Sequence, residues 1–546
     1  MTITSTQTHP LTPSSPIQDC CHATDATLNH LDQLTTPANQ DETPRSALHD
    51  LKMPMMNSYS QWARTKIIAT VGPACCEKAQ LAELIESGAD VFRLNMAHAG
   101  PDQQQVYVDR IREVSQELNQ PIGILVDLAG PKFRLGDIEG ESIYCDRDAE
   151  FALVASDPQG PYELTTSYDP LIGELSKGDF VMLADGTVGM SVVDLAPGRA
   201  TLRVVQPGLI RSRQGINLPG VKLSAPAISV DDHTNAIWAG KAGVDFVSLS
   251  FVRSPDEVRN LRDILRSAGS KAMVIAKIEK REALDRLDDI VKESDGIMVA
   301  RGDLGVEIDV AQMPLEQKRI IRSCQDFHRP VIIATQMLDS MHDSARPTRA
   351  EATDVANAIL DGADACMLSG ETAIGNFPNE AVSMMNRIAM ATEASMEGKT
   401  LRDAGGKRDD GLHKITQGVV RGAGTMAQVL GAKLVVVSSH SGRTAMALSQ
   451  QRSFVPTIGV STNESTLCKM CLYWGVTPLR GAPACVIEDL IRYTDHWACE
   501  TGLAKPGDAI VIVGGTHLTA GPDASDAMAS GAHDIVIVHE VEGPGE

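Results

Sequence analysis

The sequence has no uninterrupted apolar run of about 18 residues, so nothing in it is long enough to cross a bilayer as a helix. It is also short of positive charge: Lys and Arg total 49 against 71 Asp and Glu, a net charge of −22 with a pI near 5.1. Such a surface repels nucleic-acid phosphates and anionic lipid, which removes nucleic acid and membranes from the expected partners but leaves room for a local basic pocket around a small phosphate. Residues 1–60 lack both the basic and the apolar segment of a signal peptide, and are expected to be a disordered tail on a cytoplasmic protein. Eleven scattered cysteines make no disulfide framework, and reduced thiols are expected. Cys468 and Cys471 form a lone C-x-x-C, but Cys485 and Cys499 do not supply a second pair at a zinc spacing. There is no G-x-x-x-x-G-K-S/T phosphate loop, no repeat of solenoid period and no extended heptad.

What is present is ordinary globular material, 43% hydrophobic with a mean hydropathy of −0.09, and 546 residues are enough for two to four domains. From Thr65 onward short β-branched apolar runs alternate with amphipathic stretches. The runs fall at 67–71, 91–94, 124–127, 246–251, 274–278, 297–300, 331–335 and 365–369. Eight continuous apolar runs, as opposed to alternating ones, predict parallel strands buried on both sides and hence a closed (β/α)8 barrel of the triosephosphate isomerase type. Helices are expected between them, for example at 77–87, 101–118, 255–266 and 348–360, with Pro101, Pro255 and Pro378 at helix starts.

One gap is too long for a helix. Residues 133–224 carry short alternating segments, such as 180–183 and 200–205, broken by Gly, Pro and Asp, and predict an inserted all-β domain. A Gly-rich polar linker at 401–412 leads to further βα units with strands at 433–438, 457–460, 509–513 and 534–538. The expected organisation is therefore a tail (1–60), a barrel (61–132 and 225–398), a β insertion (133–224) and a C-terminal α/β domain (399–546).

In such a barrel the active site lies at the C-terminal ends of the strands. Those ends carry Arg93 and Asn95, Asp127, Lys277 and Glu279, Arg301 with Gly302 and Asp303, Thr335, and the polar run 369–372. Glu279 and Asp303 offer hard oxygen ligands suited to Mg2+ or Mn2+, with water and substrate completing the shell. Lys277 and Glu279 are two apart on one strand and so share a face. With Arg93 they can surround a phosphoryl group in transfer. The A-R-G-D-L-G stretch at 300–305 has glycines where bare backbone can approach an anion such as a carboxylate. In the C-terminal domain Ser438, Ser439, Ser441, Gly442, Arg443 and Thr444 follow a strand and precede a helix, a candidate phosphate cradle.

Longer motifs now name a family. M-V-I-A-K-I-E (273–279), M-V-A-R-G-D-L-G-V-E (298–307), A-T-Q-M-L-D-S-M (334–341), P-T-R-A-E-A-T-D-V-A-N-A-I-L-D-G-A-D (347–364) and M-L-S-G-E-T-A (367–373) closely resemble pyruvate kinase. The resemblance implies a barrel, an inserted lid and a C-terminal regulatory domain, with phosphoenolpyruvate and ADP as substrates, pyruvate and ATP as products, and a homotetrameric assembly. It implies that Glu279 and Asp303 bind Mg2+, that Lys277 stabilises the transferring phosphoryl group and that Arg93 contacts it. Thr335 and the backbone of Arg301, Gly302 and Asp303 would hold the substrate carboxylate, Thr335 would also serve proton delivery to the enolate, and Asn95, His98 and Arg134 would lie toward the nucleotide. The serine-rich 438–444 loop resembles the family's effector loop, which implies activation by a phosphorylated metabolite.

The chain departs from the family pattern in two places. The usual R-x-N-F-S-H-G reads R-L-N-M-A-H-A at 93–99, and the usual D-T-K-G-P-E-I-R reads D-L-A-G-P-K-F-R at 127–134. Ala97 and Leu128 thus replace hydroxyl ligands of a monovalent cation, and Lys132 stands where an acidic residue is usual. The expectation is an enzyme that does not require K+, with the Lys132 ammonium supplying the missing field. In the lid, Ala184-Asp185-Gly186 keeps one acidic residue where many members have two, and Arg213-Gln214 replaces a basic pair. Two other functions compete: a Mg2+-dependent enolate lyase on a related barrel, against which the insertion and C-terminal domain argue, and a catalytically dead sugar-phosphate sensor, which would have lost Lys277, Glu279 or Asp303.

Overall fold

Eight apolar runs become eight parallel strands because each is buried on both faces, inside against the barrel interior and outside against helices. The computed structural model describes residues 62–184, 186–397, 413–515 and 534–543; the expected N-terminal tail, the 401–412 linker and Asp185 lie outside the described residues. In chain order the strands are β1 (Lys66–Thr70), β2 (Val91–Asn95) and β3 (Gly123–Asp127) of the barrel. Next come β4 (Ser142–Cys145), β5 (Glu150–Val154), β6 (Glu163–Leu164), β7 (Phe180–Leu183), β8 (Val188–Ala196), β9 (Arg199–Gln206), β10 (Gly208–Arg211) and β11 (Ile216–Asn217) of the insertion. The barrel resumes with β12 (Phe246–Leu249), β13 (Met273–Ile278), β14 (Gly296–Ala300), β15 (Val331–Ala334) and β16 (Ala365–Leu368). The C-terminal domain holds β17 (Leu434–Ser438), β18 (Thr457–Val460), β19 (Val476–Pro478), β20 (Ala509–Gly514) and β21 (Ile535–Glu540).

The barrel closes in the order β1-β16-β15-β14-β13-β12-β3-β2, with Lys66 opposite Ala365 at the seam. Helix starts follow the sequence signals: Pro101, Pro255 and Pro378 open their helices, and Thr348 caps its helix reciprocally with Glu351. Four aspartates stand just before alternate strands, and each accepts from an amide in the first two residues of the neighbouring strand: Asp90 from Ile67 (2.9 Å), Asp245 from Ile124 (2.9 Å), Asp295 from Val274 (2.8 Å) and Asp364 from Val331 (2.9 Å). Each also pairs with a cation, namely Lys66, Arg112, Arg262 and Arg452.

The insertion is a six-stranded sheet, β11-β7-β8-β9-β5-β6, beside the two-stranded antiparallel sheet β10-β4, around its own apolar core. It is not purely β, since Leu171–Glu174 forms one helical turn. Its two connections to the barrel are tied down: Phe133 stacks on Tyr168 at 4.4 Å, and Arg253 donates to the carbonyls of Leu223 (3.0 Å) and Ala225 (2.9 Å). The C-terminal sheet runs β19-β18-β17-β20-β21, with β21 antiparallel to β20. The sequence reading missed β19, three residues ending in proline and too short to show a period. This domain packs under the N-terminal ends of the barrel strands, where Gln450 donates to Asp364 (2.9 Å) and Arg480 to the carbonyl of Ser115 (2.6 Å). The opposite end stays clear for the candidate site.

Candidate active site

At the C-terminal strand ends, four titratable side chains meet in a largely buried cluster. Asp127 is the hub, 2% exposed at the end of β3. Arg93 from β2 donates to it through Nε (2.9 Å) and Nη2 (2.5 Å), Ser248 from β12 through its hydroxyl (2.6 Å), and Lys277 Nζ lies 3.3 Å from its other oxygen. Lys277 also lies 2.9 Å from Glu279 and donates to Ser250 at 2.8 Å, while Arg93 reaches Thr70 at 3.2 Å. Lys277 and Glu279 do share a face, as their spacing required.

The charges inside this cluster decide its protonation. Burial alone would push Asp127 up, but Lys277 and Arg93 more than offset that and hold its carboxyl at about 2. Burial disfavours the charged Lys277, yet Asp127 and Glu279 hold it above the ordinary lysine value, so it stays an ammonium. Glu279 is pushed up by burial and by the neighbouring charge of Asp303, against the pull of Lys277. Two carboxylates that repel each other at the mouth of a buried site are what a dication relieves. Among the described residues no group of three or more His, Cys, Asp or Glu side chains forms a closed metal cage. Two carboxylates with the rest of the shell left to water and substrate oxygens fit Mg2+ or Mn2+ better than a soft or fully caged metal.

Beside the cluster, the short helix Arg301–Glu307 that follows β14 and the residue after β15 are joined. Gly302 N donates to Thr335 Oγ1 at 2.9 Å, and Thr335 sits in the left-handed region at φ +67°. Arg301 sends its guanidinium to Asp354 (2.6 Å) and the carbonyl of Thr335 (2.8 Å), so its side chain braces the segment after β15. Glu371 accepts from Leu338 N (3.1 Å) and Ser369 N (2.7 Å), tying together the loops after β15 and β16.

The outer residues are spread more widely. Asn95 uses its side-chain oxygen on the amide of Ala97 (3.1 Å), and His98 is exposed beside it. Arg134 donates to the carbonyl of Arg213 (3.1 Å) inside the insertion. Lys132 is exposed at the base of the insertion, with its Nζ 4.0 Å from where a β-carbon on Gly215 would stand; it makes no ion pair among the described residues. In the C-terminal loop, Ser439 Oγ accepts from Gly442 N (3.0 Å), Ser438 is buried against the carbonyl of Ala484 (3.2 Å), and Ser441, Arg443 and the helix start at Arg443 face outward. Cys468 and Cys471 are both buried, and burial pushes both thiols well up, Cys468 to about 12, which makes them inert packing.

Sequence reasoning missed Ser248 and Ser250, and gave Asp127 no central part. The signal was there: the run at 246–251 reads F-V-S-L-S-F, with two serines at strand period on the inward face. That run was also expected to stay extended to 251, but β12 stops at Leu249, and Phe251 turns to φ +54° to give its amide to Glu279 at 2.6 Å.

Fold and site together define a (β/α)8-barrel phosphotransferase. The chain matches the family model "Pyruvate kinase, barrel domain" over residues 62–382 and "Pyruvate kinase, alpha/beta domain" over 417–528. It is 37% identical over 462 residues to a pyruvate kinase of Bacillus licheniformis, covering 84% of this chain and 79% of that one. It is 38% identical over 458 residues to a pyruvate kinase of Corynebacterium glutamicum, covering 83% and 94%. A crystal structure of a pyruvate kinase from Cryptosporidium parvum superposes with a TM-score of 0.79 at 30% identity, over 88% of this chain and 97% of that one. The chain belongs to the pyruvate kinase family. Its activity is that family's, transfer of a phosphoryl group from phosphoenolpyruvate to ADP, and the family generally uses Mg2+ or Mn2+.

Proposed function

We propose that the Arg93–Asp127–Lys277–Glu279 cluster is where phosphoenolpyruvate gives up its phosphoryl group, and that this chain does so without K+. The observation that carries the reading is the buried ammonium of Lys277, held charged between two carboxylates at the end of β13. Lys277 and Arg93 meet the phosphoryl group as its bond to the enol oxygen breaks and its bond to the terminal phosphate oxygen of ADP forms. Fixed cations aimed at developing charge in a dry site lower such barriers by roughly 3–4 kcal/mol each. Glu279 and Asp303 would hold the divalent cation, which supplies positive charge to the phosphoryl group and the enol oxygen. The amides of Gly302 and Asp303 with the Thr335 hydroxyl hold the substrate carboxylate. Thr335 then relays a proton from water to the methylene carbon of the enolate, taking one up as it gives one, so that its hydroxyl is restored and pyruvate is formed. The β insertion, 133–224, acts as a lid over this end, and Asn95, His98 and Arg134 line the nucleotide side.

Independence from K+ is supported by the loss of oxygen ligands around Asp127. Leu128 packs its side chain into the barrel core, Ala97 has no hydroxyl and takes up the Asn95 oxygen itself, and Asp127 is already balanced by two cations. Lys132, at the first connection to the lid, supplies the remaining charge when the lid closes. We further assign the 438–444 loop to a phosphorylated metabolite, either a sugar phosphate or a nucleoside monophosphate, and read the protein as a cytoplasmic homotetramer.

One coupled assay tests the reading. With phosphoenolpyruvate, ADP, Mg2+ and tetramethylammonium as the sole monovalent cation, ATP forms at full rate, Lys132→Glu depresses that rate, and titration with phosphorylated metabolites raises substrate affinity. No ATP in any buffer sinks the site assignment. Activity that appears only with K+ sinks the cation argument alone.

A further inference from the structure

We infer that Ser250 is a positioning residue for phosphoryl transfer: its hydroxyl fixes the Lys277 ammonium through a neutral contact that leaves the ammonium's charge available to the phosphoryl group. The inference rests on Lys277 meeting that group. Lys277 has three N–H donors and three neighbours, Ser250 Oγ at 2.8 Å, Glu279 at 2.9 Å and Asp127 at 3.3 Å. The two carboxylates have other demands on them. Asp127 already takes two donations from Arg93 and one from Ser248, and Glu279 accepts from Phe251 N and faces Asp303 at the divalent-cation position. Among the described residues Ser250 has no such competitor on its lone pairs. Its proton is committed to the carbonyl of Leu128 at 2.6 Å, which leaves the oxygen as a pure acceptor aimed at Lys277.

A carboxylate could hold the ammonium equally well, but it would cancel part of the field that the phosphoryl group is to feel. A hydroxyl orients without cancelling. The local chain is built to keep it in place: Ser250 is 1% exposed, and Phe251 adopts the left-handed conformation that lets consecutive residues serve Lys277 with a side chain and Glu279 with an amide. Gly130 packs against this corner so closely that a β-carbon there would lie 2.8 Å from Ser250 Cβ. A corner held on both sides is how a supporting contact keeps a reactive group within a fraction of an ångström of its working position.

Ser250→Ala tests this. At saturating substrates kcat is expected to fall by about tenfold or more, while KM for phosphoenolpyruvate and the half-saturating Mg2+ concentration stay within about twofold. Ser250→Cys preserves the packing but offers a poor acceptor, and is expected to behave like the alanine variant. In a Lys277→Met background Ser250→Ala has nothing left to position, and lowers kcat no further. A kcat within twofold of wild type for either folded variant overturns the proposal. So does a loss that appears mainly in KM or in the Mg2+ midpoint, a full additional loss in the Lys277→Met background, or failure of both variants to fold, each of which would mark the hydroxyl as structural. If Lys277→Met itself keeps wild-type kcat, the assignment of Lys277 has failed, and the proposal with it.

Discussion

A lysine between two carboxylates is commonly a closed ion pair, but on the proposed reading the charge balance around Lys277 leaves its site ready for an anion once a dication is bound. Arg93 and Lys277 cancel Asp127 and Glu279, and Asp303 leaves one negative charge over, so a dication turns the pocket positive. Asp127 is the residue on which this balance depends. Its carboxyl is held near 2 in the folded chain against about 3.9 in an unfolded one. The stability this supplies, on the order of 2 kcal/mol, is present above pH 4 and lost as the pH falls toward 2. Asp127→Asn leaves two buried cations without their shared partner, and should destabilise the fold by about 3 kcal/mol at neutral pH. The gap to wild type in urea unfolding should narrow between pH 5 and pH 3. A gap that stays constant over that range would mean Arg93 and Lys277 do not set the ionisation of Asp127.

At the scale of elements, the barrel is locked at its lower end by the four aspartates that each join one strand to its neighbour. Asp245 is the most telling, since it serves Ile124 N and Arg112 while lying 1% exposed, and burial pushes its carboxyl up. Asp245→Ala strands a buried amide and an arginine, and a loss of about 3 kcal/mol in urea unfolding is expected with kcat unchanged. A comparable drop in kcat would show that the two ends of the barrel are not independent. These strands were legible from sequence because burial on both faces writes them as continuous apolar runs, and Lys277 with Glu279 was legible because alternation puts residues two apart on one side. Ser250 was not, for the same reason: inside an apolar run two serines read as packing, and only the tertiary approach of β3 and β13 shows what they hold. Lys132 shows a different limit. Its exchange for an acidic residue could be read from the motif, but its place at the base of the insertion depends on how the chain turns out of the barrel, which no local pattern encodes.

At the scale of the whole molecule, the C-terminal domain and the barrel floor share one apolar cluster, in which Ile68, Leu125, Phe246, Met298 and Ile332 lie with Val435, Leu472, Tyr473 and Val511. Buried apolar surface of that extent cannot be left to water without cost. A chain ended at residue 412 should therefore be recovered mostly as aggregate, and a soluble, active fragment in size-exclusion chromatography would show that the floor seals itself. The closing seam adds a constraint in time. Because Lys66 pairs with Ala365, and the floor beneath them is covered from as far along as Val511, the first strand and its neighbour β2 leave the ribosome hundreds of residues before β16 and the covering domain do. At roughly 5–20 residues per second that interval is on the order of a minute, during which the inserted β-domain, whose strands all lie between Ser142 and Asn217, can finish while the barrel that carries it remains an open sheet. The part of the chain proposed as the lid is thus the part able to fold first, and the barrel that carries it must wait for the end of the message.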